Sequence, residues 1–441
     1  MGVSKIFTEW RSSSTFMLVA LCFALFTDTF VYGIIIPILP FLLIGPGNVG
    51  SEDVQKWISV LLAIYGVALL LGTPTMVYLC DKYRVQKATL VGGSIAMALA
   101  TVLFISAGNV WMFLIARVCQ GLSGAVVGVL GLSMIAETSS PERLGLRMVC
   151  GSASLTWGIL CGPIAGGFLF WKFGTGGALG VPIALLGVDF ILRMLIVQEN
   201  EDITKDDEQE DSPLLETSVS SDLSLGFWDS LHPIMLGVIF CVFVISSILS
   251  AFEATLPLFV LDTYHWSSLG AGLIFLPMTI PSILSTHIAH FVRRFVPRKI
   301  VMTGFFLMAV PMVSLRWAQG NTIHHEIALI SLLFIIAFCV TTVQAIIMGD
   351  VSNATRKIES LHGITEEDST GQERGYAICN MAFAAGQTLG PLGGGIMKHK
   401  WGWGCMTLVL GILCLVAGIS SFFSISAAVP QGDTGEVDEN N

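Results

Sequence analysis

Residues Phe16 to Leu43 read FMLVALCFALFTDTFVYGIIIPILPFLL. A bilayer core takes about 20 apolar residues per helix, so this stretch is long enough to cross one. Asp28 interrupts it. A carboxylate at that depth costs roughly 2.5–3.5 kcal/mol even on lenient insertion scales, and so faces a bundle interior or a water-filled path. Two readings follow. Asp28 handles a cation or a proton in a transport path, or it stays protonated and hydrogen-bonds a neighbouring helix. Pro37 and Pro40, further along the same run, favour the transport reading.

Further runs of the same kind lie downstream. Together they occupy 16–43, 57–79, 88–107, 111–136, 148–171, 178–197, 233–261, 267–292, 300–319, 326–349, 375–397 and 404–428, here called spans 1 to 12. The polar, acidic and Ser-rich gap 198–230 divides them six and six and reads as a flexible linker. A second polar insert, Asp350 to Arg374, separates spans 10 and 11. The expected fold is an all-α membrane protein with twelve transmembrane helices in two six-helix pseudo-repeats. Its expected parts are an N-terminal bundle (1–197), the acidic linker (198–230), a C-terminal bundle (231–428) and a disordered acidic tail (429–441).

Composition agrees. Of 441 residues, 54% are hydrophobic and 12% charged, against about 25% charged in ordinary soluble proteins. The net charge of −10 gathers in Glu199–Glu216, Glu366–Glu373 and the tail after Asp433. These patches read as solvated loops, and nothing points to a nucleic-acid partner. Met1 to Ser14 is polar and the first apolar run lacks a small-residue cleavage site, so that run reads as an anchor rather than a cleaved leader. The ten cysteines show no metal or redox spacing and mostly sit inside apolar runs, as small packing residues. No HExxH or CxxC pattern indicates a membrane-embedded enzyme.

With the N-terminus in the cytoplasm, fifteen Lys and Arg fall on inner segments and four on outer ones. The positive-inside rule then places both termini in the cytoplasm. Arg117, Arg193 and Arg316 remain at membrane depth. Span 5 carries Gly162-Pro163-Ile-Ala-Gly166-Gly167, and span 11 carries Gly390-Pro391-Leu-Gly393-Gly394. The same pattern at the fifth span of each half is the parallel repeat used by rocker-type transporters.

Three motifs resemble those of the major facilitator superfamily, in its twelve-spanner drug:proton antiporter branch, and the resemblance covers essentially the whole chain. The first is GTPTMVYLCDKYRVQK over Gly72–Lys87, between spans 2 and 3. It resembles the family's cytoplasmic gating loop, which implies a gating role for Asp81, Lys82, Arg84 and Lys87. The glycine usual near the acid is displaced. The second is Arg117-Val-Cys-Gln120-Gly121-Leu-Ser-Gly124 in span 4. By resemblance Arg117 and Gln120 lie near the proton path and cavity; the other reading has Arg117 snorkelling to the interface. The third, Gly158-Ile-Leu-Cys-Gly162-Pro163-Ile-Ala-Gly166-Gly167, resembles the antiporter motif that the family associates with export. Its glycines also suit close helix packing.

A closer resemblance is to the vesicular amine transporters and their fungal relatives. It rests on Asp28-Thr-Phe-Val-Tyr-Gly-Ile-Ile-Ile-Pro37, on Phe252-Glu253-Ala-Thr-Leu-Pro257, and on Tyr376-Ala-Ile-Cys-Asn380-Met-Ala-Phe383. It implies that Asp28 binds an amine while other acids carry protons. The chain departs from that pattern: Asn380 replaces an acid, and Tyr65 stands where span 2 would hold a lysine. Asp28, Asp189 and Glu253 remain. Asp189 and Arg193, four apart on span 6, share a face, so they are either a self-neutralising pair or a functional one.

The resemblance implies an antiporter exporting a drug, toxin, secondary metabolite or organic cation, with Asp28, Glu253, Arg117, Asp189, Asn380 and Gln120 as proton-coupling and substrate residues. Phe30, Tyr32 and Phe252 would contact an aromatic or cationic substrate. The alternatives are a vesicular or vacuolar amine:proton antiporter and a nutrient facilitator or symporter. No cofactor is expected beyond the proton gradient. The expected partners are a small-molecule substrate, protons and the lipid bilayer, with a monomeric chain. The plasma membrane is the expected location. The acidic-dileucine pattern Glu210-Asp-Ser-Pro-Leu214-Leu215 keeps a vacuolar or vesicular membrane as the alternative.

Overall fold

The structure is a computed structural model that describes residues 13–83, 86–196, 233–282, 297–361 and 371–424. The expected linker and acidic tail, and Arg84, lie outside the described residues. Every regular element among the described residues is helical. Nine helical stretches among the described residues are long and apolar enough to cross a membrane. One of them, Leu146–Leu195, runs 50 residues and merges spans 5 and 6 across a corner at Gly174, whose φ of 66° breaks the helical path. Span 8 is represented by the apolar stretch Ser268–Ser282, and the rest of its expected range lies outside the described residues. Span 11 lies in the 31-residue helix Gly371–Trp401. The twelve-span reading is thereby accounted for.

Local sequence explains the breaks. The Ser13 hydroxyl accepts the Thr15 N–H at 3.4 Å and starts the helix Ser14–Ile35. Pro37 and Pro40 convert its end into a 3₁₀ turn (Ile36–Ile38) and a short helix (Leu39–Ile44). Asn109 accepts the Met112 N–H at 3.1 Å and starts the span 4 helix, Val110–Glu137. Along that helix Trp111, Ile115, Val118 and Leu122 are exposed at helical spacing, an apolar stripe suited to lipid.

Burial ranks the spans. In the most apolar windows of spans 1 and 7, 72% of residues are buried, against 39% in spans 3, 9 and 10. The first span of each half is therefore central, and its acid must be accommodated by neighbours rather than by lipid.

Packing groups the described chain into two units, one of Met1–Val219, Ser250–Leu276 and Gln387–His399, the other of Ser220–Leu249, Pro277–Gly386 and Lys400–Asn441. In the first, spans 1 to 6 are joined by one end of spans 7, 8 and 11. In the second, Trp403 Nε1 donates to the Leu315 carbonyl at 3.1 Å, and Ser246 donates to the Phe383 carbonyl at 2.6 Å.

The polar insert after span 10 differs from expectation. The helix Ile323–Leu361 runs twelve residues into it, and the next helix starts at Gly371. Val351, Ala354, Thr355 and Ile358 are buried along this extension at helical spacing, so an amphipathic stripe, too short and polar to be a span, continues the helix.

Candidate functional site

Asp28 is placed by the glycine face of span 5. A Cβ on Gly158 would stand 2.0 Å from Thr29 Oγ1. On Gly162 it would stand 2.8 Å from the Phe30 carbonyl oxygen, and on Gly166 2.1 Å from that of Ile34. The three glycines are four apart, so they form one ridge-free face into which span 1 sinks. Thr29 Oγ1 reaches the Leu155 carbonyl at 3.1 Å across this seam. Span 1 therefore has no freedom to rotate Asp28 out of the bundle. The rest of the motif faces span 8: a Cβ on Gly167 would meet the Ser268 carbonyl oxygen at 2.5 Å, and one on Gly272 would meet that of Pro163 at 2.6 Å.

The repeat in span 11 is used the same way. A Cβ on Gly394 would lie 2.7 Å from Ala251 Cβ on span 7, and one on Gly395 would lie 1.7 Å from Ser59 Oγ on span 2. Each motif thus presses one face on the first span of its own half and another on a span of the other half.

Asp28 is 5% exposed. Ser123 Oγ of span 4 lies 3.2 Å from its Oδ1 and 2.9 Å from the Gly93 carbonyl oxygen. A hydroxyl has one proton and can also accept. With Asp28 ionised, Ser123 donates to it; with Asp28 protonated, the acid donates to Ser123, which turns to Gly93. Rotation of one hydroxyl serves both states. The missing side chain of Gly124 leaves a gap in which Tyr65 Oη and Asp28 Oδ2 lie 3.0 and 3.4 Å from where a Cβ would be.

One turn beyond Asp28, Tyr32 Oη donates to Glu253 Oε2 on span 7 at 2.7 Å. Its ring lies 4.3 Å from that of Tyr65 and 5.6 Å from the guanidinium carbon of Arg117. Arg117 is wholly buried and gives Nη1 to Gln120 Oε1 at 3.2 Å. The structure thus brings Asp28, Glu253, Arg117 and Gln120 to one cluster around two tyrosines. The interfacial reading of Arg117 fails, since its side chain turns inward. Phe30, Tyr32 and Phe252 are all buried.

Other expected residues lie apart. Asp189 and Arg193 form an ion pair at 2.6 Å, with side chains 0% and 2% exposed, and Arg193 Nη1 donates to the Leu90 carbonyl at 2.7 Å. Asn380 is exposed on span 11, in the second unit. Asp81 and Lys82 fall in the last turn of the helix Val54–Tyr83, with side chains outside the described residues. Lys87 Nζ donates to the Ile196 carbonyl and so holds the end of span 6.

Three residues of this region carried no assigned role in the sequence. Ser123 had a local signal, one turn from Gln120 in the span 4 motif. Gln55 and Lys398 had none. Pro257 lies inside the span 7 helix, where it lacks an N–H and so leaves the hydrogen-bond ladder of the preceding turn incomplete. Gln55 Nε2 donates to the Ala254 carbonyl at 3.0 Å and Lys398 Nζ to that of Thr255 at 3.2 Å.

Comparison with known proteins agrees with this architecture. The family model of the Major Facilitator Superfamily matches residues 21–365. An uncharacterized MFS-type transporter of Schizosaccharomyces pombe is 28% identical over 446 residues, covering 95% of this chain and 97% of the relative. The synaptic vesicular amine transporter of Mus musculus is 23% identical over 378 residues, 85% of this chain and 66% of the relative. The crystal structure of a human organic anion transporter superposes with a TM-score of 0.62 at 15% identity, over 93% of this chain and 99% of that one; this likeness speaks for the fold alone.

Proposed function

The chain belongs to the Major Facilitator Superfamily, a family of multi-pass membrane transporters, and on that footing we propose that it is a proton-coupled antiporter exporting a small organic cation by alternating access. One observation carries this reading. Asp28 is buried in one of the two most enclosed spans, yet no ion pair holds it among the described residues. A buried carboxylate without a resident cation is open to a proton or to a cationic substrate, and the two compete for it.

Glu253 supports the same cycle from the facing span. Its link to Tyr32 closes the end at which spans 1 and 2 connect, where the glycine seams to spans 8 and 2 also lie. The positive-inside bias makes that end the outer or luminal one, with both termini in the cytoplasm. Opening that end separates Tyr32 from Glu253 and exposes Asp28 to the proton supply. The division into bundles 1–197 and 231–428 gives the two bodies that rock.

The test is substrate-driven proton movement in proteoliposomes, comparing the native chain with Asp28→Asn over a panel of lipophilic cations and neutral metabolites. The expected result is proton release by a cation through the native chain and none through the variant. Transport of a neutral compound that survives the substitution sinks the reading and makes Asp28 structural.

A further inference from the structure

Arg117 is a buried charge with open donors and no ion pair among the described residues. It is wholly buried, and of its five N–H donors only Nη1 has a recorded acceptor, Gln120 Oε1 at 3.2 Å. Nε and Nη2 meet no acceptor, and neither does Nε2 of Gln120. No carboxylate forms an ion pair with this guanidinium among the described residues. Aromatic rings cover it, Tyr32 at 5.6 Å and Phe104 at 5.5 Å from the guanidinium carbon. They attract the positive charge but give its N–H groups nothing to bind. The Glu253 carboxylate takes the Tyr32 hydroxyl, so Tyr32 stands between anion and cation.

A buried guanidinium left with open donors costs free energy in this state. That cost is recovered when an acceptor reaches it. The acceptor must carry charge, because a cation pays for burial fully only against an anion. A planar group with two oxygens fits here, because the guanidinium fork and a neighbouring amide N–H match a carboxylate. Asp28 and Glu253 hold no ion pair among the described residues and suit a cationic group.

We propose that Arg117 and Gln120 form an anion subsite that takes a carboxylate of the transported molecule, so that the substrate is an aromatic zwitterion rather than a simple amine. The cationic half of this assignment rests on the antiport reading above; the anionic half rests on the open donors alone. Tyr32 and Tyr65, with rings 4.3 Å apart, supply the aromatic contact between the two ends.

The experiment uses the full chain in lipid nanodiscs with three probes on one skeleton: tryptamine, tryptophan and indole-3-propionate. Affinity is read from ligand-induced thermal stabilisation. The native chain is expected to bind tryptophan about tenfold or more tightly than tryptamine, the worth of a charge-assisted hydrogen-bond pair. Arg117→Gln and Gln120→Leu should each bring that ratio towards one, and Arg117→Lys should keep part of it. Gln120→Leu covers the case in which the arginine variant fails to fold. Tryptamine binding as well as tryptophan, or a ratio that survives both substitutions, overturns the subsite while leaving the cationic reading intact. Arg117-dependent binding of indole-3-propionate without any response to tryptamine supports the subsite and removes the cationic reading. No response to any probe overturns both.

Discussion

Two buried arginines show how this bundle treats charge. Arg193 sits on span 6 against an aspartate four residues away and a backbone carbonyl, and its charge is met by that ion pair although its Nε has no acceptor. Arg117 sits on span 4 under two aromatic rings with most of its donors open. Both are essentially excluded from solvent. A fold that needs a charge only for packing settles it locally, as at span 6. A charge left open beside an unpaired acid is kept for something that comes and goes. On that contrast we propose a structural role for Asp189 and Arg193 and a transport role for Asp28, Glu253 and Arg117.

The sharpest way to break that contrast is to remove each acid. Asp28→Asn should leave a well-folded protein that has lost all proton-coupled exchange. Asp189→Asn should leave a buried arginine without its counter-ion and cost about 3–5 kcal/mol of stability, read from thermal unfolding in nanodiscs. If Asp189→Asn unfolds at the native temperature, the pair is not structural.

A double substitution sharpens the same point. Replacing Asp189 and Arg193 together by leucine should restore most of what Asp189→Asn loses, since an apolar pair of similar volume often matches a buried ion pair. Arg117→Leu should raise the unfolding temperature, because deleting open donors removes a cost of roughly 1–3 kcal/mol. A fall in unfolding temperature would show that the contacts to Gln120 and the two rings outweigh the open donors.

Packing effects are smaller. Gly166→Ala puts a methyl group 2.1 Å from the Ile34 carbonyl and should destabilise the bundle by about 1–3 kcal/mol. Gly176→Ala, with nothing within 4 Å, should not. Equal unfolding temperatures for the two variants would remove the glycine seam from the account of how Asp28 is held. The mildest change is Tyr32→Phe, which deletes one hydrogen bond worth about 0.5–1.5 kcal/mol. It should raise the labelling rate of a Ser268→Cys thiol in the span 5 to span 8 seam about two- to tenfold. An unchanged rate would mean that the Tyr32–Glu253 contact does not hold that end closed.

Much of this was legible in the sequence. Apolar runs marked the spans because bilayer thickness fixes their length. Glycines at 158, 162 and 166 announced a packing face because a period of four lies along one side of a helix. The spacing of Asp189 and Arg193 allowed their pairing for the same reason. What was not legible depends on how separate helices are rotated against each other. Tyr32 meets Glu253 across 221 residues, and no local pattern encodes that. Lys87 counted towards orientation by its charge, yet its ammonium caps the end of span 6. The helix beyond Asp350 was hidden by its polarity, since four buried residues among charged ones make a weak signal next to a full span.

The corner at Gly174 has a mechanical consequence. Spans 5 and 6 meet through a single non-helical residue, with helix on either side. Both arms of this hairpin are tied to neighbours: span 5 to span 1 through the glycine face, and the end of span 6 to Lys87 through the Ile196 carbonyl. The permissive glycine thus sits between two anchored arms, the one place where the hairpin can change its angle without breaking a helix.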